Sequence, residues 1–117
     1  MSARIERWKA AWESCDLERI VGLYSPDAEH SSGLVSHLYA ELGRATLRGQ
    51  TEIREYVSRG LLWFVAVRID VLSVIESDDR SAVEYRRGSN LDATPAHVVE
   101  LIDWSGSLIR SSTVFQF

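Results

Sequence analysis

At 117 residues, with 45% hydrophobic and 26% charged side chains, the chain has the size and composition of one soluble globular domain, expected to span residues 1–117. No apolar run approaches the roughly 18 residues of a membrane span, and the formal net charge is −4 with basic residues scattered, Arg86-Arg87 being their only adjacent pair, so neither a membrane nor a nucleic acid is an expected partner. Cys15 is the only cysteine, which excludes an intrachain disulfide or a thiolate metal cluster and, with the charged opening MSARIERWKAAW, predicts a cytoplasmic protein.

In chain order, Ile5, Trp8, Trp12 and Cys15 recur every three to four positions and predict a helix with one apolar face. It stops near Asp16, which can cap a second helix with the inward stripe Leu17, Ile20, Val21 and Tyr24, ended by Pro26. Residues 27–32 read as a short strand, followed by a polar, Gly- and Ser-rich loop to Gly43. RATLR (44–48) reads as another short strand, and residues 49–62 as a third helix with Ile53, Tyr56, Val57 and Leu61 inward. The period then changes from 3.6 to 2. Segments 65–76, 81–88, 96–104 and 107–117, separated by SDDR, GSNLDATP and WSGS, predict four long strands in an antiparallel meander. Helices first and a curled sheet afterwards make an α+β domain, with the helices covering the inner face of the sheet.

This order of elements, with RWKAAWESCDLERIVGLYSPDAEH, LRGQTEIREYVSRGL and the closing IDWSGSLIRSSTVFQF, resembles the nuclear transport factor 2-like superfamily and, within it, the SnoaL-like and ketosteroid isomerase-like branch. The resemblance implies a cystatin-like cone: a curved antiparallel sheet wrapped around three N-terminal helices, an apolar pocket at the wide end, and homodimers formed through the outer sheet face. In ketosteroid isomerases the pocket holds a tyrosine, an aspartate base and a protonated aspartic acid. Carried over by position, these fall on Trp8, Ser32 and Val98, so the isomerase's own mechanism is not inherited.

Glu100, in the middle of the apolar strand HVVELID, is the leading chemical candidate. If position 98 faces the pocket, Glu100 and Ile102 do too; the opposite parity would place His97 and Asp103 inside. An inward Glu100 would be desolvated, its pKa raised toward the range useful for general acid/base catalysis; the alternative is an ion pair with Arg87 or Arg110. His30, two residues before Ser32, is the second catalytic candidate, either in a dyad with Glu100 or alone. Trp8, Trp12, Tyr24, Tyr56, Tyr85 and Phe115 are expected inside, as core or, near the mouth, as ligand contacts. Ser32, Val98, Ser111 and Thr113 complete the expected substrate-binding set, the last two as small polar groups on the face of Phe115.

No His, Cys or carboxylate spacing predicts a metal. The glycines form no nucleotide-binding motif and no GxSxG elbow is present, so no cofactor is expected. Two functions remain open at this point. One is a cofactor-free isomerase, cyclase or dehydratase acting on a small hydrophobic molecule; the other is a non-catalytic ligand-binding or dimeric association module.

Overall fold

The computed structural model describes every residue from Met1 to Phe117. The first helix, α1 (Ala3–Ser14), starts where the Ser2 hydroxyl accepts a hydrogen bond from the Ile5 N–H, and it buries Ile5, Trp8 and Ala11. It ends at Cys15, whose backbone is left-handed with φ 52°. A Cβ is strained in that conformation, and glycine is the residue that tolerates it. Cys15→Gly is therefore expected to raise stability by about 1 kcal/mol, read as a higher melting temperature; an unchanged or lower one counts against the strain.

Asp16 caps α2 (Leu17–Val21) by accepting from the Arg19 N–H. This helix stops at Gly22, ahead of Pro26, which instead lies inside the first strand, β1 (Tyr24–Ser31). Pro26 is tolerated there because the pairing of β1 shifts register between Tyr24 and Glu29, leaving a stretch in which no ladder hydrogen bond is required of it.

The segment expected to be a loop holds α3 (Gly33–Leu38), capped by the Ser32 hydroxyl, and a single 3-10 turn, Ala40–Leu42. A three-residue strand, β2 (Thr46–Arg48), leads into α4 (Gly49–Gly60), which buries Ile53 and Val57. Glu52 secures that junction by accepting from the Arg48 N–H and from the guanidinium of Arg44.

The meander follows as β3 (Val67–Glu76), β4 (Arg80–Ser89), β5 (Ala96–Ser105) and β6 (Leu108–Gln116). All six strands form one curved sheet in the order β2-β1-β6-β5-β4-β3. The long strands pair antiparallel as the sequence predicts, whereas β1 and β6 run parallel. The helices cover the concave face. On β5 the side chains of Val98, Glu100, Ile102 and Trp104 turn inward, alternating with more exposed neighbours. The core at the narrow end joins Ile5, Ile20, Leu23, Leu47, Ile102 and Ile109. Arg4 closes that end, stacked on the Trp104 ring at 5.1 Å and bonded to Glu76. At the far edge of the sheet, a Glu13 carboxylate oxygen accepts the Ile69 N–H at 2.8 Å and so ties α1 to β3. No helix is long and apolar enough to cross a membrane.

Candidate functional site

The wide end of the cone holds a cavity of about 1190 Å³, somewhat above the roughly 300–1,000 Å³ of ordinary small-molecule sites. Its walls are mainly apolar and come from α1, α3, α4 and the ends of β3, β4 and β6 that meet at the mouth.

Glu100 is 4% exposed and lines this cavity. The Tyr85 hydroxyl, one inward step nearer the mouth on the neighbouring strand, donates to Glu100 Oε1 at 2.9 Å. Trp8 sets its ring edge-on to Tyr85, centroids 5.2 Å apart. The Trp8 indole N–H has no hydrogen-bond partner, yet it helps hold the charge of Glu100. Burial raises the Glu100 pKa from the ordinary 4.5 to about 7; Tyr85, Trp8 and the Arg87 charge pull in the other direction and only partly offset it. Near neutral pH, then, Glu100 exists both as carboxylate and as carboxylic acid. The Tyr85 phenol is driven upward, first by burial and then by the adjacent Glu100, and stays protonated.

His30, 5% exposed, stands on β1 across the cavity. Its Nδ1 lies 2.6 Å from the Ser112 hydroxyl, and the rings of Tyr56 and Tyr24 flank it at 5.5 and 6.3 Å. Burial lowers its pKa to about 4, so it is a neutral imidazole at physiological pH. The hydrogen-bonded His30–Glu100 dyad considered from sequence is not formed: each is engaged by a different hydroxyl, Ser112 for the histidine and Tyr85 for the glutamate.

The other predicted positions divide. Trp8, Trp12, Ser32, Tyr56 and Tyr85 line the cavity, and Phe115, 47% exposed, borders its mouth. Ser32 also spends its hydroxyl on the Val35 N–H. Tyr24 and Val98 are buried in the core and do not reach the cavity wall. Ser111, Thr113 and Phe115 require correction: their backbone positions lie on the outer face, where the Ser111 hydroxyl bonds Asp103, and of the three only the exposed Phe115 ring reaches the rim of the mouth. The cause is a bulge. Trp104 pairs with Ile109 but Asp103 pairs with Ser111, so Arg110 is an extra residue and every later side chain of β6 changes face. Ser112 and Val114 take the inward places, opposite Ile102 and Glu100.

Neither proposed ion pair to Glu100 is present: Arg110 is exposed on the outer side of the sheet, and Arg87 lies beyond salt-bridge distance, its Nη2 donating to Gln116 Oε1 at 3.1 Å. Arg87 and Trp63 also line the cavity, with the exposed Leu62, Leu91 and Phe117 around the mouth. The sequence offers Arg87 only as an ion-pair partner of Glu100, although it shares the parity of Tyr85, and it does not place the other four at the mouth. No group of three His, Cys, Asp or Glu side chains is gathered where it could hold a metal ion.

A SnoaL-like domain model matches residues 5–111. Among solved structures, a SnoaL-like protein of unknown function from Burkholderia thailandensis is similar at 19% identity and a TM-score of 0.81, over 96% of this chain and 89% of that one. A protein with a ketosteroid isomerase-like fold from Catenulispora acidiphila, solved in complex with trimethylamine, is similar at 18% identity and a TM-score of 0.77, over 98% of this chain and 85% of that one. TerC, co-crystallised with polyporic acid, is similar at 19% identity and a TM-score of 0.77, over 97% and 88% of the two chains. At these identities the likeness is one of fold. No curated protein matches the chain.

Proposed function

Since this chain belongs to the SnoaL-like domain family, we propose that it is a cofactor-free acid/base enzyme acting on a small hydrophobic molecule held in the cavity. The observation that carries this reading is Glu100: a carboxyl group in an apolar wall, with a pKa of about 7 and a phenol as its hydrogen-bond partner. Its carboxylate form takes a proton from an activated C–H of the substrate, the C–H bond breaking as the O–H bond forms. The resulting carboxylic acid then returns that proton. Delivered to another carbon, the proton completes an isomerisation; delivered to a departing hydroxyl, it completes a dehydration. If the carbanion instead attacks a carbonyl carbon of the same molecule, the proton goes to the new alkoxide and a ring has closed. His30, neutral and with Nε2 free of protein partners, contributes a hydrogen bond to a substrate oxygen from the opposite wall. Two proteins of the same fold are solved with small organic molecules, which supports this use of the scaffold.

The test is turnover and binding measured together on a panel of enones, epoxides and polyketide-like β-ketones. Glu100→Gln is expected to lose about 10²–10⁴-fold in turnover, as removal of a general acid/base does, with its Kd for the same compound nearly unchanged. His30→Ala is expected to lose less. Equal turnover in Glu100→Gln and the parent rejects Glu100 as the proton carrier.

The second reading, a binding module without turnover, is favoured by Trp8, Ser32 and Val98 at the positions where ketosteroid isomerases carry their catalytic groups. A parent protein that binds panel members and converts none of them supports it.

A further inference from the structure

We infer that Arg87 is the anion-recognising residue of the cavity, and that the molecule bound there is a flat hydrophobe carrying a carboxylate or an acidic enol at the end nearest the mouth. The inference rests on the ligand-binding reading above and names the class of ligand. Arg87 lies on the inner face of β4, in alternation with Val83 and Tyr85, and lines the cavity.

Arg87 forms no salt bridge. Six arginines have no carboxylate within salt-bridge distance; Arg7, Arg19, Arg48, Arg86 and Arg110 are exposed to water, and Arg87 alone is partly buried. Water screens the first five, whereas the sixth faces an apolar hollow. Its donors are also underused. Nη2 reaches the Gln116 side chain, while Nε is buried with no partner. Nε is enclosed by protein, so the side open to a ligand is that of Nη1, which makes no hydrogen bond, and the second Nη2 hydrogen; this planar edge is shaped for two parallel hydrogen bonds to a carboxylate or to the delocalised oxygens of an enolate.

The ladder fixes the direction of the ligand. Glu100 pairs with Val83 and Arg87 with Ala96, so the two charged residues stand two inward steps apart, about 13 Å of strand. An anion next to Glu100 would meet its negative charge; beside Arg87 it meets a positive one. The acidic end therefore stays at the mouth and an uncharged carbon reaches Glu100, with the aromatic rings of Trp8, Tyr56 and Tyr85 along the wall between them.

A matched pair of probes separates this inference from the reading it rests on: 2-naphthoate and its neutral counterpart 2-naphthalenemethanol, titrated at about pH 7.5 against the quenching of tryptophan fluorescence. The parent is expected to bind the carboxylate at least about tenfold more tightly than the alcohol, the effect of one charge-assisted contact. Arg87→Gln is expected to erase that preference while keeping the affinity for the alcohol, and Arg87→Lys to restore part of it. The preference should persist in Glu100→Gln, because there Arg87 cannot act through the glutamate charge.

A parent that binds both probes equally overturns the assignment of Arg87 and leaves the cavity as a ligand site. If Arg87→Gln weakens both probes alike, its role is structural and the assignment is again overturned; circular dichroism shows whether that variant is folded. Binding of neither probe overturns the ligand-binding reading and this inference together.

Discussion

Glu100→Gln is expected to gain stability relative to the parent protein as pH rises from about 4.5 to 8, by about 3 kcal/mol, the linkage value of a shift from 4.5 to about 7 in a fully buried group. The sign follows from where the proton sits. Between the two pKa values the folded parent holds a proton on Glu100 that the unfolded chain has released, so raising the pH favours unfolding. The glutamate's contribution is fully present below 4.5 and is lost as pH rises through about 7. Glutamine does not titrate, and its carbonyl oxygen can still accept from the Tyr85 hydroxyl.

His30 moves in the opposite direction. Its folded pKa of about 4 lies below the ordinary 6.5, so its contribution is present above 6.5 and lost as pH falls through about 4. In the parent these two buried groups oppose one another between 4.5 and 6.5; in the variant the histidine slope stands uncovered. Denaturant unfolding at several pH values checks this. Parallel curves for parent and variant would mean that Glu100 is solvated in the folded state. The carboxylates whose pKa is lowered by ion pairs or hydrogen bonds, such as Glu52 and Glu76, act equally in both proteins and cancel in the difference.

Trp8→Ala is expected to cost about 3–5 kcal/mol, the usual range for removing a buried aromatic side chain. That is a large fraction of the roughly 5–15 kcal/mol that holds a domain of this kind together. Trp8 is 1% exposed and packs edge-on against Tyr85, so its loss leaves a hole that joins the existing cavity. Water admitted there relieves the desolvation that keeps Glu100 high. A lower melting temperature should therefore be accompanied by a Glu100 pKa closer to 4.5, followed by carboxyl NMR titration. A variant as stable as the parent would show that the indole is not a structural wall. Trp8→Phe keeps an aromatic ring in the wall at a smaller loss of volume than alanine, while removing the indole N–H that faces Glu100.

The fold was largely legible because its long strands obey one simple alternation, and the inward placement of Glu100 follows from the run Val98, Glu100, Ile102. The site was legible only in part, and each miss has a local cause. Pro26 read as a helix terminator, since a register shift that excuses a proline within a strand leaves no mark in composition. Six residues of α3 are too few to display a helical period, although Ser32 was available as its cap. Ser111 and Thr113 were misplaced by a one-residue bulge at Arg110, which strict two-residue alternation along the strand does not reveal. The His30–Glu100 pairing failed for another reason: sequence shows which residues share a surface, while the choice between two nearby hydroxyls is made in three dimensions.

Strand β6 lies between β1 and β5, although it is the last of the six in sequence order. Tyr24 and Ile109 are ladder partners, and so the sheet cannot be assembled by adding neighbours in succession. Strands β3 to β6 follow one another as hairpins, so the step that joins distant parts of the chain is the docking of β6, the last strand of that meander, against β1. Such distant pairing pays its loop-closure entropy before its contacts form, and it slows folding. The hollow around Glu100 has Val114 of the meander on one side and Trp8 of α1 on the other, so it closes only when those two parts of the chain meet, and before that docking the carboxyl group is open to water.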